Sequence, residues 1–292
     1  MTEKVQNFIT RTITGILFVA IIVTCFLRPS AMVFLFALVT GMTIWEYCGL
    51  VNDIKSVQVN RFICVVAGVY FFLAVAGFCS GMTPSAVFIP YLLTVIYLFI
   101  AELYTKAENP INNWAYTMLS QMYIALPFSM LNVLAFQNVP DLNYPVYNWL
   151  LPLSVFIFLW INDTGAYCAG SLFGKHKLFP RISPAKSWEG SIGGAIFVLI
   201  AAGVIFYIEQ QGHADSDTPS HSLSLLQWLG LGLVVVVFGT LGDLVESLLK
   251  RTLNIKDSGN ILPGHGGMLD RFDSSLMAIP AAVVYIYTLT LL

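Results

Sequence analysis

FICVVAGVYFFLAVAGFCSGMTPSAVFIPYLLTVIYLFIA, Phe62 to Ala101, runs for 40 residues without one charged side chain. A helix crosses the hydrocarbon core of a bilayer in about 20 apolar residues. The stretch therefore holds two spans, broken at Ser80-Gly81-Met82-Thr83-Pro84. Its apolar residues are continuous rather than alternating, which excludes a transmembrane β-barrel. In lipid that leaves helices, which satisfy their own backbone polar groups.

The rest of the chain has the same texture. Of 292 residues, 57% are hydrophobic and 10% charged, against about 25% charged in soluble domains. A soluble globular enzyme and a disordered chain are both excluded. The apolar runs are 12–27, 31–50, 62–81, 86–104, 116–136, 147–167, 190–208, 225–247 and 274–292. The fold class is therefore all-α: a polytopic membrane protein of about nine transmembrane helices. The net charge of −2 identifies no partner, and nucleic acid is not expected as one.

Orientation follows from Lys and Arg, which collect in cytoplasmic loops. With nine spans and the N-terminus in the cytoplasm, 13 of the 14 basic residues fall on that side, and Arg28 alone on the other. The segment 209–221, EQQGHADSDTPSH, has no Lys or Arg and reads as an external loop. Thr12 to Leu27 is followed by Arg28-Pro29 rather than a small-residue cleavage site, so it reads as a span and not a cleavable signal. The five cysteines lie singly in apolar runs without metal or redox spacing and read as buried apolar residues. Glu102 reads as an interfacial charge, and His176 and His221 as loop residues. Glu46, between Trp45 and Tyr47, reads equally as an interfacial charge or as a group turned into the bundle.

Half of the 30 charges lie in two stretches that together cover one fifth of the chain: six between Asp163 and Glu189, and nine between Asp243 and Asp273. The second reads GDLVESLLKRTLNIKDSGNILPGHGGMLDRFDSS, Gly242 to Ser275. Residues three, four and seven apart share a helix face, so Asp243, Ser247 and Lys250 project together with Glu246 adjacent. Asp243 follows a long apolar run, where an ionisable group is costly and a functional candidate. Arg251, Lys256 and Asp257 come next, then the turn Pro263-Gly264-His265-Gly266-Gly267. Asp270, Arg271 and Asp273 stand at the mouth of the last span, the two carboxylates one helical turn apart.

Carboxylates without Cys or clustered His suit a hard cation such as Mg²⁺. Lys and Arg beside them make sense where the cation arrives with phosphates, as phosphoryl-type transfer requires. The first stretch, NDTGAYCAGSLFGKHKLFPRISPAKSWEGSIGG from Asn162 to Gly194, points the same way. Asp163 ends an apolar run, and Lys175, Lys177, Arg181 and Lys186 supply positive charge. Ser187 and Ser191 precede a span whose first backbone N–H groups can receive an anion. Loop bases also serve simply to orient a protein or to touch anionic lipid, and Lys175, Lys177 and Arg181 fit either role.

The second stretch resembles the signature of the CDP-diacylglycerol synthases, or phosphatidate cytidylyltransferases. The matching positions are Ser247, Lys250-Arg251, Lys256-Asp257, Pro263, His265-Gly266-Gly267, Asp270-Arg271 and Asp273, without departure across 27 residues. The first stretch is similar to the family at Asn162-Asp163, Ala166-Tyr167, Gly174-Lys175, Ser183-Pro184, Lys186-Ser187 and Glu189-Gly190. Arg11 to Gly15 and Trp45-Glu46-Tyr47 fit more loosely.

The resemblance implies an enzyme that joins CTP to phosphatidic acid, releasing pyrophosphate and forming CDP-diacylglycerol. It implies dependence on Mg²⁺ with a monovalent cation, K⁺, beside it, and a homodimer. The short, all-span form with its N-terminus inside suggests the bacterial cytoplasmic (inner) membrane, and the basic residues place both charged stretches on its cytoplasmic face. Asp243, Asp270 and Asp273 are the metal carboxylates that it suggests. Asp243, Lys250, Arg251, Asp270 and Arg271 are expected in catalysis. Substrate contacts are expected from Asp163, Lys175, Lys186, Ser187, Ser247, Lys256, Asp257, His265, Gly266 and Gly267. Three regions follow: N-terminal helices over 1–115, middle helices with the dimer contact over 116–162, and the catalytic region over 163–292. The alternatives are a CTP-dependent lipid kinase, which would release CDP, and an ion-coupled transporter. Against the transporter, the carboxylates sit at span ends rather than at the midplane expected of transporters.

Overall fold

The computed structural model describes residues 3–138, 142–214, 222–259, 261 and 266–291. Ten α-helices dominate it: α1 Glu3–Phe26, α2 Pro29–Asn52, α3 Arg61–Cys79, α4 Ile89–Ala101, α5 Pro110–Leu119, α6 Leu126–Ala135, α7 Leu150–Phe173, α8 Trp188–Ala214, α9 Leu225–Thr252 and α10 Met268–Leu291. Among the described residues seven helices are long and apolar enough to cross a membrane, with α5 and α6 counted as one through the π-helical turn Ser120–Ala125. The other two apolar runs form shorter apolar helices, Thr12–Phe26 and Ser85–Ala101.

Three features depart from the sequence reading. The polar stretch after α7 is not a plain loop, because β3 Lys177–Phe179 and β4 Ser183–Ser187 pair antiparallel. A second hairpin joins β1 Phe136–Asn138 to β2 Pro145–Tyr147, so the all-α class carries two small ribbons. The last helix also starts at Met268 rather than near residue 274, which places Asp270 and Asp273 within its first two turns. Polar residues at a helix start interrupt the hydropathy pattern without interrupting the helix, so the apolar run is shorter than α10 itself.

The chain forms two compact units. The first comprises Met1–Val133 and Lys250–Phe272. Its core is aromatic: the Phe272 ring meets Phe18, Phe36 and Phe128 at 5.6, 6.0 and 5.5 Å between centroids, and edge-on contacts of this kind add to the burial of each ring. They fix the start of α10 against α1, α2 and α6. Cys48 on α2 and Cys64 on α3 are both buried. The second unit comprises Leu134–Leu249 and Asp273–Leu292. There α7 lies along α8 through small residues: a Cβ added at Gly165 would sit 3.1 Å from Gly194 Cα, and one at Gly190 2.9 Å from the Ala166 carbonyl oxygen. Small residues of this kind let helix backbones approach in lipid.

Candidate active site

The predicted site residues gather into two clusters, one in each unit. In the first unit, α9 ends in a Schellman motif: Asn254 takes φ +56°, its N–H donates to Arg251 O, and Ile255 N–H donates to Lys250 O. The left-handed residue closes the helix and turns the chain back toward α10. Asp270, in the first turn of α10, then collects four donors. Lys250 Nζ donates to Oδ1 at 2.8 Å. Ser258 N–H at 2.8 Å, Gly267 N–H at 2.9 Å and the Ser258 hydroxyl at 2.9 Å all converge on Oδ2.

Gly266 makes this possible. Its φ of +82° lies in the left-handed region, and a Cβ there would stand 2.7 Å from Asp270 Oδ2. The helix start beneath it is capped from α2. Glu46, 7% exposed, accepts from Met268 N–H at 2.9 Å, from Leu269 N–H at 3.0 Å and from the Ser258 hydroxyl. Asn260, Pro263, Gly264 and His265 lie outside the described residues. Arg251, Lys256, Asp257 and Arg271 are exposed.

The second unit holds the other cluster. Lys186 Nζ, from β4, pairs with Asp243 Oδ2 at 2.5 Å, and the Ser247 hydroxyl donates to Asp243 Oδ1 at 3.1 Å. Asp273 lies within electrostatic reach of both Asp243 and Asp163. Asn162, Asp163, Lys186, Ser187, Ser191 and Thr240 line a cavity of about 350 Å³. Ser187 is buried, and its hydroxyl accepts from Gly190 N–H at 3.1 Å, capping α8. Lys175 and His176 are exposed. Glu189 accepts from their backbone N–H groups at 3.2 and 3.1 Å and bonds His176 Nδ1 at 2.5 Å.

Among the described residues, no three His, Cys, Asp or Glu side chains stand together as a ready-made metal cage. The donor set of the second cluster is nevertheless suited to Mg²⁺. It consists of hard carboxylate oxygens beside a cavity, with Lys186 supplying the positive charge that they demand, and Mg²⁺ commonly takes one or two carboxylates with substrate phosphates. Asp270 differs in degree, because it holds four protein donors, three of them on Oδ2, whereas Asp243 accepts one on each oxygen, both from side chains that can turn away.

Glu46 and Ser258 are the residues that sequence reasoning left unassigned. The signal for Glu46 was an ionisable side chain in an apolar helix. Its partners lie 212 to 223 positions away along the chain and share no helix face or spacing with it.

An apolar helical bundle that carries lysine–carboxylate pairs at its polar helix ends is the equipment of a membrane-embedded transferase acting on phosphates. The chain belongs to the cytidylyltransferase family, whose model matches residues 9–289. A phosphatidate cytidylyltransferase of Haemophilus influenzae is 33% identical over 264 residues, covering 85% of this chain and 88% of that protein. One from Staphylococcus haemolyticus is 32% identical over 272 residues, covering 92% and 95%. A third, from Staphylococcus saprophyticus, is 46% identical over 128 residues. The protein is thus a nucleotidyltransferase built from membrane helices.

Proposed function

We propose that this enzyme transfers the CMP moiety of CTP to phosphatidic acid, giving CDP-diacylglycerol and pyrophosphate. The observation that carries the reading is the Lys186–Asp243 pair beside the cavity. A magnesium-bound phosphate satisfies both members when it separates them, since the carboxylate turns to the metal and the ammonium to the phosphate. A pair of this kind suits a polyanionic substrate better than a cation alone.

In this reaction a phosphatidate oxygen attacks the α-phosphorus of CTP. The bond from that phosphorus to the bridging oxygen breaks, and pyrophosphate leaves. No covalent enzyme intermediate is required. Asp243 and Asp273 would hold Mg²⁺, which would offset charge on the phosphates and the leaving group. Lys186 and Ser191 would orient phosphates at the cavity, with Ser187 holding the start of α8. Arg251, Lys256 and Arg271 would lower the repulsion between two anionic reactants. Asp270 positions Lys250 and the loop before α10 through its four hydrogen bonds. K⁺ is the monovalent ion proposed to accompany Mg²⁺.

The lipid accounts for the location, since its tails stay in the bilayer while a soluble nucleotide enters from the cytoplasm. Nine spans, an N-terminus inside and a cytoplasmic site complete the proposal, together with a homodimer in the inner membrane. Purified protein with labelled CTP, phosphatidic acid and Mg²⁺ tests the chemistry. The expected products are CDP-lipid and pyrophosphate. Release of CDP with a newly phosphorylated lipid would identify a kinase instead, and no nucleotide turnover would reject both.

A further inference from the structure

We infer that Glu46 is a positioning residue of the site: it sets the geometry of Lys250 and Asp270 from the other end of the sequence. The residue stands in α2 and is 7% exposed. A buried carboxylate is costly unless its oxygens are satisfied, and here they are. Both α10 N–H contacts come from groups that a helix start leaves without an intrahelical partner. Negative charge is favoured there by the helix dipole. Glu46 therefore serves as the N-terminal cap of α10 from a distant part of the chain.

The cap extends to the reactive side chains through one hydroxyl. Ser258 Oγ contacts both Glu46 Oε1 and Asp270 Oδ2 and accepts from Asp270 N–H at 3.3 Å. Since a hydroxyl has a single proton to donate, the two carboxylates compete for it and are held to the same point. Asp270 then fixes Lys250 Nζ. The chain of contact runs from Glu46 through Ser258 and Asp270 to Lys250, all within the first unit.

Two glycines make room for it. A Cβ on Gly259 would stand 2.6 Å from Glu46 Oε2, and one on Gly267 would collide with Glu46 Oε1 and Ser258 Oγ. The second glycine of the His265-Gly266-Gly267 run is thus explained by a carboxylate more than 200 positions earlier. An ordinary capping role would need neither the shared hydroxyl nor glycine at both approaches.

The inference rests on the proposed reaction for its kinetic reading, but hydrogen exchange tests it separately. Glu46→Gln keeps the shape while opposing an amide N–H₂ to a backbone donor. Amide exchange of the full chain in detergent is expected to accelerate at Ser258 and from Gly267 to Leu269, while α7 and α8 stay unchanged. In the CTP and phosphatidate assay, kcat per folded molecule is expected to fall on the order of 10²-fold, as for a misplacement of about 1 Å, with both KM values near wild type. Ser258→Ala, which keeps the contacts from Glu46 to α10, is expected to lower kcat as well. The double variant should lose no more than the worse single one, as for residues acting as a unit. Unchanged exchange in Glu46→Gln overturns the inference whatever the reaction proves to be. An active wild type with full kcat in Ser258→Ala overturns it too, and that arm holds even where Glu46→Gln fails to fold.

Discussion

Lys186 Nζ stands 2.5 Å from Asp243 Oδ2, pairing strand β4 with helix α9. Both side chains keep about a quarter of their surface open, at 26% and 29%. So exposed an ion pair contributes at most about 1 kcal/mol to folding. Lys186→Gln should therefore leave the melting temperature in detergent near wild type. Its cost should fall on the substrate instead, because a hydrogen bond to a charged group is worth about 1.5–3 kcal/mol, roughly a 10- to 150-fold loss in kcat/KM for CTP. Steady-state rates with CTP varied decide it, and an unchanged kcat/KM removes Lys186 from the site.

The Lys250–Asp270 pair should behave differently, because its side chains are only 16% and 5% exposed. Removing one partner of a buried pair costs about 3–5 kcal/mol. Asp270→Asn is thus expected to lower both thermal stability and turnover. Removing the ammonium as well, as Lys250→Met with Asp270→Asn, should restore part of the stability, since no unpaired charge is left buried and the amide oxygen still accepts from the Ser258 and Gly267 donors. Turnover should stay lost. If melting and product assays show both recovering, the pair is only scaffolding.

These two pairs mark how far the sequence could be read. The apolar runs located the helices because bilayer thickness fixes their length. Asp243 and Lys250 stood out by sharing a helix face, and Asp270 by its one-turn spacing to Asp273 and its place in the signature. The partners were another matter. Lys186 was singled out as a base, but nothing in its position named Asp243, 57 residues further on, as its counter-ion. Glu46 stayed undecided for the same reason: a tertiary contact across 212 positions has no periodicity to betray it. The early start of α10 was hidden because its first turn is polar, and the β3–β4 hairpin because its strands are only three and five residues long.

Helix α8 offers a packing test with an internal control. A Cβ at Gly193 would collide with Ala169 Cβ on α7, whereas one at Gly203 would meet nothing within 4 Å. Overpacking an interface costs about 1–3 kcal/mol. Gly193→Leu should therefore melt lower and lose activity, since α7 and α8 carry Asn162, Asp163 and Ser191 of the cavity lining. Gly203→Leu should match wild type in both measurements. Equal behaviour of the two variants would contradict the close approach of α7 and α8.

Metal dependence separates the carboxylates by role. Asp243 and Asp273 belong to the cluster proposed to hold Mg²⁺, with Asp163 close enough to act on Asp273 electrostatically. Asp270 holds four donors from Lys250, Ser258 and Gly267, three of them on one oxygen, against one on each oxygen of Asp243. Chelation with EDTA should abolish turnover, and added Mg²⁺ should restore it. Asp243→Asn removes a proposed ligand that also pairs with Lys186 and should leave no measurable turnover in a protein that still folds. Asp273→Asn removes the second proposed ligand but retains the Asp243 carboxylate and should remain active at high Mg²⁺, with the half-maximal concentration raised by at least the roughly 10- to 100-fold that follows loss of a group merely supporting a metal. Residual activity in Asp270→Asn should show the wild-type Mg²⁺ midpoint, because the loss there lies in the placement of Lys250 and not in metal affinity. Titrating Mg²⁺ against product formation for all three variants decides between these roles. A shifted midpoint in Asp270→Asn, with none in Asp273→Asn, would exchange their assignments.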